Sequence, residues 1–275
     1  IAKHALQYGI VMKHTEDEIA AINMTIGAAH MGVRAMTATA GGGFSLMSEA
    51  LGMAGITETP IVVVEGMRPG PSTGLPTWTD QADLRFVMHA SQGEFPRVLF
   101  LPGDVEECFY MTLQAFNLAE KYQMICIILT DKYLGESVMS CKTFEHANYK
   151  IDRGLLIDSV AASQIEDGAY RRFKFTENGV SPRAVPGTAN CIYAVSTDEH
   201  KEDGDLDESA EIRIKMVDKR AKKLAVLKSD SLKDGDMFLL HGADDADLTV
   251  VSWGSTKGPI LEAMELTKEN VTIQA

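Results

Sequence analysis

The sequence predicts an α/β fold built on a parallel sheet with helices on both faces. Three observations carry that expectation. Short apolar runs recur, helical periodicities lie between them, and turn residues close each run. Ile61–Val64 and Ile125–Leu129 are strand-sized and apolar throughout, as strands covered on both faces are.

Taken in order, Glu16–Met31 reads as a helix, with Ile19, Ile22, Met24 and Ile26 set among alanines. Val33–Thr39 reads as a strand that runs into Gly41-Gly42-Gly43, a glycine loop, and Phe44–Met53 as the next helix. Ile61–Glu65 is a buried strand, and Val98–Leu101 another, stopped by Pro102-Gly103. Asp104 is placed to cap a helix whose first turn carries Glu106 and Glu107. Val105, Cys108, Phe109, Thr112, Phe116 and Ala119 follow at helical spacing, and Ile125–Leu129 is the next strand. Residues 1–145 form this first unit. From 146 to 240 the chain turns polar and irregular, with Pro182, Pro186 and Gly187 as punctuation, and reads as a connector without a core of its own. Lys215–Lys223 is basic; a solvated helix face is expected there, with a partner contact as the alternative. A fresh α/β pattern begins in 241–275: a strand at Leu248–Trp253, a turn at Gly254-Ser255-Thr256 and a helix over Pro259–Glu269.

Composition narrows the function classes. The 275 residues carry 26 Lys and Arg against 39 Asp and Glu, a net charge of −13. An acidic chain lacks the clustered basic surface that nucleic acids require. No apolar run approaches the roughly 18 residues that span a bilayer. Cys108, Cys126, Cys141 and Cys191 are spaced too widely for a zinc or iron–sulfur motif. Reduced thiols in a cytoplasmic setting are expected, with no metal site on this chain.

Three places invite chemistry. Glu18 stands near a helix start among Ile19, Ala20, Ala21 and Ile22. Partial burial there raises a carboxyl pKa and suits it to proton transfer; a plain helix-start glutamate favourable to the macrodipole is the other reading. Gly41, Gly42 and Gly43 follow a strand and precede a helix, where a ligand can approach the backbone, or where the chain simply turns. Arg68 opens Arg68-Pro69-Gly70-Pro71-Ser72-Thr73-Gly74 at the carboxyl end of a buried strand, the end at which open α/β sheets bind ligands. Its planar fork suits a carboxylate or phosphate, and Ser72 and Thr73 add hydroxyls.

Together these stretches resemble the alpha subunit of the 2-oxoacid:ferredoxin oxidoreductases. Gly32-Val33-Arg34-Ala35-Met36-Thr37-Ala38-Thr39, the following Gly43-Phe44-Ser45-Leu46-Met47-Ser48-Glu49, and the Arg68–Thr77 loop carry the resemblance. Ala115–Tyr122, Asp131-Lys132-Tyr133-Leu134, Ser181–Gly187, Glu199-His200, Lys219-Arg220 and Trp253–Gly258 extend it from about Glu16 to the end.

The resemblance implies that 1–145 is the pyrimidine-binding domain of a thiamine diphosphate enzyme, 146–240 a connector, and 241–275 the start of a transketolase-C-terminal-like domain. It implies that Glu18 contacts and protonates the aminopyrimidine ring. In that family a small residue follows nine positions later, here Gly27, which selects Glu18 over Glu16. It implies that Arg68 holds the substrate carboxylate, with Ser72 and Thr73 beside it, and that Gly41, Gly42 and Gly43 border the cofactor. The magnesium-holding Gly-Asp-Gly motif is not in this sequence. Mg2+ and a [4Fe-4S] cluster are therefore expected on a partner beta subunit, which shares the thiamine diphosphate. Gamma and delta subunits, coenzyme A and ferredoxin are the further expected partners. A family segment, Tyr-Pro-Ile-Thr-Pro, is expected ahead of Ile1, and Thr39-Ala40-Gly41-Gly42 departs from the usual Thr-Ser-Gly-Pro. The Gly-Pro-Ser-Thr-Gly loop resembles the 2-oxoglutarate branch. Two other readings share the fold: a non-catalytic assembly subunit, against which Glu18 and Arg68 argue, and another thiamine-dependent 2-oxoacid decarboxylase, against which the Arg68–Thr77 loop argues.

Overall fold

The structure is a computed structural model, and it describes residues 1–147, 149–234, 237–268 and 271–275. Its centre is a four-stranded parallel sheet in the order β1-β2-β4-β3, formed by β1 (Met36–Ala40), β2 (Ile61–Met67), β3 (Arg97–Phe100) and β4 (Ile125–Asp131). The two continuous apolar runs of the sequence are the central pair, in register from Ile61 opposite Ile125 to Met67 opposite Asp131. Strand pleat divides their side chains between two cores. Ile61, Val63, Ile125, Ile127 and Leu129 pack under α1 (Glu18–His30) and α2 (Gly42–Ile56), through Ile22, Ile26, Phe44, Met47 and Leu51. Val62, Cys126 and Ile128 face the other way, against Ala115 and Ala119 of α4 (Val105–Tyr122). Each fully buried side chain of this size stabilises by about 1.5–3 kcal/mol.

Several boundaries move. Helix α1 starts at Glu18 because Asp17 is its cap, accepting from the Ala20 N–H at 2.7 Å, so Glu16 and Asp17 lie outside the helix. Strand β1 starts only at Met36, after a turn in which Gly32 holds φ +87°. Gly42 and Gly43 are not loop: they form the first turn of α2, and Gly41 alone makes the bend, at φ +54°. Asp104 caps α4 as expected, accepting from Glu107 at 2.8 Å. Three short helices were not foreseen, α3 (Leu84–His89), α5 (Lys132–Glu136) and α6 (Ser159–Ser163), each too brief to show a periodicity.

The connector reading needs two corrections. Ala162, Tyr170, Ala184 and Cys191 form a small buried cluster of their own, so the irregular stretch does have a core. It is followed by a 25-residue helix, α7 (Ala210–Asp234). The basic run on α7 is a solvated face only in part: Lys215 and Lys222 are exposed. Lys219, Arg220 and Lys223 are all buried. Lys219 Nζ donates to both oxygens of Glu58, at 2.6 and 2.8 Å, and Lys223 pairs with the same carboxylate. Arg220 forks onto Glu199 at 3.0 and 2.8 Å. Arg172 closes the cluster by donating to the Glu58 carbonyl at 2.8 Å and to Gln123 Oε1 at 2.9 Å. A second hub is Glu120 on α4, which gathers Arg34 (3.0 Å), Arg153 (2.8 Å) and Arg183 (3.2 Å) from three separate segments.

The last part holds β5 (Leu248–Thr249), α8 (Lys257–Thr267) and β6 (Ile273–Gln274), with the two strands parallel. The strand expected over Leu248–Trp253 is thus two residues long; beyond it the Val250 N–H still donates to the Gln274 carbonyl at 2.7 Å, Val251 is exposed by 94%, and Trp253 packs against the main core. The helix begins at Lys257, before Pro259, and the expected end at Glu269 lies outside the described residues. Lys257 ties this part to α4 through Asp104, at 2.6 Å, and Glu107. No helix among the described residues is long and apolar enough to cross a membrane.

Candidate functional site

Strands β1, β2 and β4 deliver their carboxyl ends to one edge, and the polar residues of the chain's first part collect there. Glu18, first residue of α1, is half-buried. Its carboxylate reaches the start of α2: a Cβ built on Gly43 would lie 2.7 Å from Glu18 Oε1 and against the Thr39 hydroxyl. Only glycine lets the carboxylate sit there. The N-terminus of α2 has no side-chain cap, so its free N–H groups favour an anion at that point. Replacing Gly43 by alanine is therefore expected to displace Glu18 and leave the sheet folded. A crystal structure of the Gly43→Ala protein checks this, and a Glu18 carboxylate found in its original place would count against it.

Arg68 follows β2 and lies across the same turn. Its Nη2 donates to the Ala40 carbonyl at 3.3 Å, and its Nε is 3.4 Å from where a Gly41 Cβ would stand. Its buried Nε has no hydrogen-bond partner among the described residues. The loop beyond closes on itself, Leu75 N–H to the Pro69 carbonyl at 3.0 Å, with Gly74 at φ +51° where any Cβ would strike that carbonyl. Ser72, at φ +56°, and Thr73 are exposed on this loop, and no hydrogen bond joins them to Glu18 or the glycines among the described residues. The structure thus brings Glu18, Gly41, Gly43 and Arg68 together; it leaves Ser72 and Thr73 on the rim and Gly42 with open space beside it.

Sequence reasoning missed the most deeply placed member. Glu65 of β2 is 1% exposed and accepts the Gly41 N–H on Oε1 at 3.0 Å. Burial pushes its carboxyl up to about 8; nearby Asp83 adds to the rise, and the Gly41 N–H and Arg68 only partly offset it. Asp83 is itself raised by burial, with the Arg68 backbone N–H lowering it and Asp80 raising it. The missed signal was visible: a lone carboxylate inside an otherwise apolar strand, Ile-Val-Val-Val-Glu-Gly-Met. Asp131, at the end of β4, was also passed over. It caps α5, accepting from Leu134 at 2.9 Å, and takes the Gln81 amide at 3.3 Å and the Ser255 hydroxyl. No cluster of His, Cys, Asp and Glu suited to a metal ion occurs among the described residues.

A doubly covered parallel sheet with a carboxylate, a glycine turn and an arginine at its carboxyl edge defines a cofactor-binding α/β domain. The chain belongs to the family described as pyruvate flavodoxin/ferredoxin oxidoreductase, thiamine diphosphate-binding, whose signature matches residues 1–219. It is 44% identical over 258 residues to the 2-oxoacid:ferredoxin oxidoreductase subunit alpha of Saccharolobus solfataricus, covering 93% of this chain and 40% of that one. It is 32% identical to the 2-oxoglutarate synthase subunit KorA of Methanothermobacter thermautotrophicus, covering 95% of this chain and 66% of that one. Among solved structures, the 2-oxoglutarate:ferredoxin oxidoreductase of Magnetococcus marinus, with 2-oxoglutarate, coenzyme A and succinyl-CoA bound, superposes with a TM-score of 0.87 at 37% identity. That match covers the whole of this chain and 46% of the other. The chain therefore spans about two fifths of the length of the first curated relative. The expected family and fold class are borne out.

The residues present fit thiamine diphosphate. A half-buried carboxylate, for which only a glycine at position 43 leaves room, offers a partner to a ring nitrogen; the start of α2 has no side-chain cap, and Arg68 Nε has no hydrogen-bond partner among the described residues, so both suit polar groups of a ligand.

Proposed function

We propose that this chain is the pyrimidine-binding part of the alpha subunit of a 2-oxoacid:ferredoxin oxidoreductase. The reaction is the coenzyme-A-dependent oxidative decarboxylation of 2-oxoglutarate or a related 2-oxoacid, giving the acyl-CoA and CO2 and passing electrons to ferredoxin. The observation that carries this reading is the convergence of Glu18 and Arg68 on one glycine turn, a proton-handling group beside a carboxylate binder. When bound, thiamine diphosphate supplies the nucleophile for the keto carbon and the electron sink for decarboxylation.

Glu18 holds the aminopyrimidine ring and keeps a proton at the ring nitrogen. Arg68 takes the oxoacid carboxylate in its planar fork, which offsets the cost of drying that charge. Ser72 and Thr73 on the rim loop add hydroxyl contacts to the distal part of the acid, and Gly41, Gly42 and Gly43 let the ligands approach the backbone. Mg2+ and a [4Fe-4S] cluster belong to the beta subunit, which completes the cofactor site; gamma and delta subunits extend the assembly in the cytoplasm. Residues 1–145 serve as the cofactor domain, 146–240 as a connector with a small core and a long helix of its own, and 241–275 as the beginning of a transketolase-C-terminal-like domain.

The test is coenzyme-A-dependent reduction of ferredoxin or a viologen dye by the alpha chain co-expressed with its beta partner. Activity with 2-oxoglutarate that vanishes without either chain or without thiamine diphosphate supports the reading; a cofactor-loaded complex inert to every 2-oxoacid overturns it. Within that assay Arg68→Ala is expected to raise the KM for the oxoacid about 10- to 100-fold, with a smaller effect on kcat, since a hydrogen bond to a charged group contributes about 1.5–3 kcal/mol.

A further inference from the structure

We propose that Glu65 is a positioning residue of this site: its buried side chain anchors the turn at Gly41 without pairing with Arg68, which leaves the Arg68 guanidinium without a carboxylate of its own and able to take that of an incoming acid. The inference rests on the reading of Arg68 as the carboxylate binder.

The geometry sets the two halves of the role. Glu65 shares the face of β2 that carries Ile61 and Val63 into the main core, so its side chain is aimed into packed protein and not into water. One oxygen accepts the Gly41 N–H at 3.0 Å, fixing the one residue of the glycine run that bends, and the bend presents the Ala40 carbonyl to Arg68 Nη2. The other oxygen is buried with no hydrogen-bond partner among the described residues. No ion pair joins Glu65 to Arg68 among the described residues, although the two are close enough for their charges to interact. The groups that face Glu65 come from three elements: the Gly41 N–H after β1, Arg68 after β2, and Asp83 ahead of α3, itself near Asp80. Its neighbours across the sheet, Thr39 and Leu129, carry no charge.

An ionised Glu65 would be poorly placed. It would be a desolvated charge beside a second carboxyl, and it would compete for the guanidinium with any acid arriving at Arg68. Protonated, it still accepts from Gly41 and places no negative charge beside the oxoacid. Burial and Asp83, which hold the carboxyl near 8, keep it in that form through neutral pH. The sign follows. As pH rises through about 8, Glu65 ionises and the oxoacid binds more weakly; below that it has no effect.

The experiment uses the assembled complex loaded with thiamine diphosphate, as wild type, Glu65→Gln and Arg68→Ala. Infrared difference spectra between pH 7 and pH 9.5 report protonated carboxyl groups without any turnover. Wild type is expected to lose an acid carbonyl band over this interval that Glu65→Gln never shows. In steady state, the wild-type KM for 2-oxoglutarate is expected to rise roughly tenfold or more from pH 7 to 9.5, as the competent fraction falls. The ratio of wild-type to Glu65→Gln KM should climb with it, because glutamine is a fixed copy of the neutral acid. A Glu65→Gln complex whose KM at pH 7 rises as far as that of Arg68→Ala would overturn the proposal, since it would show that the carboxylate is the working form. So would identical pH profiles, or the absence of the band from wild type. If Arg68→Ala binds the oxoacid normally, it is the reading of Arg68 that fails, and the infrared band still reports the state of Glu65 on its own.

Discussion

Glu18→Gln is expected to lower turnover of the assembled enzyme about 10²- to 10⁴-fold, the usual range for loss of a positioned acid–base group, with the fold unchanged. Glutamine keeps the size and shape of the side chain, so the packing over Gly43 and Thr39 survives. The helix survives too, because its cap is Asp17 and not Glu18. On the role proposed for Glu18, what is lost is the ability to hold and release a proton at the cofactor ring. The expected signature is a fall in kcat with the KM for the oxoacid nearly constant, since Arg68 is untouched. Steady-state assays with melting curves of both proteins read this directly; a normal rate in a folded Glu18→Gln enzyme removes Glu18 from the chemistry.

Glu58→Gln is expected to destabilise the chain by about 3–5 kcal/mol, the range for breaking a buried ion pair from one side. The carboxylate is fully buried at the end of α2, and Lys219, Lys223 and Arg172 surround it. Burial alone would raise its pKa, but Lys223, Lys219 and Arg172 outweigh burial and hold it well below the usual carboxylate range. Without the charge, Lys219, Lys223 and Arg172 are left in a dry site with no counter-charge. Changing Lys219 and Lys223 to methionine in the same protein should restore much of the loss, because removing the set together leaves fewer charges stranded. Urea unfolding measures both steps. The pH dependence has a definite sign. Burial lowers the Lys223 pKa to about 7 from its ordinary 10.5, with Glu58 opposing and Lys219 reinforcing the fall. Between those values the unfolded chain binds more protons, so this group adds stability as pH rises. Glu58 acts at the other end: its contribution is present above about 4.5 and is lost as pH falls through the carboxylate range. The stability of wild type relative to Lys223→Met should therefore increase from pH 7 to 10.

The sheet was legible because Ile61–Val64 and Ile125–Leu129, the greater part of β2 and β4, are apolar without interruption, a pattern with few alternatives. Glu18 and Arg68 were legible through local context, a helix start and a strand end. Gly41 was legible as a bend, but the run of three glycines concealed that the helix begins at Gly42. The basic stretch of α7 misled for a physical reason. Charge argues for water only when no counter-charge lies inside, and Glu58 is 161 residues away from Lys219 along the chain. Glu65 was hidden by the opposite error: a carboxylate in an apolar strand reads as a strand end, although it sits two residues before the strand finishes.

The Glu120 hub carries an unequal arithmetic. Three arginines, Arg34 from the segment before β1 and Arg153 and Arg183 from two places in the irregular stretch, share one carboxylate. Removing any one arginine leaves the acid still paired twice; removing the acid takes the counter-charge from all three at once, leaving them their hydrogen bonds to Asn117, the Gly32 carbonyl and the Ala29 carbonyl. Sequence drift through this region should accordingly be epistatic. Positions 34, 153 and 183 tolerate change one at a time while Glu120 stands, and each loss narrows what the others can accept. A pairwise mutational scan would show it as couplings among three sites that never touch in sequence, with position 120 intolerant in every background.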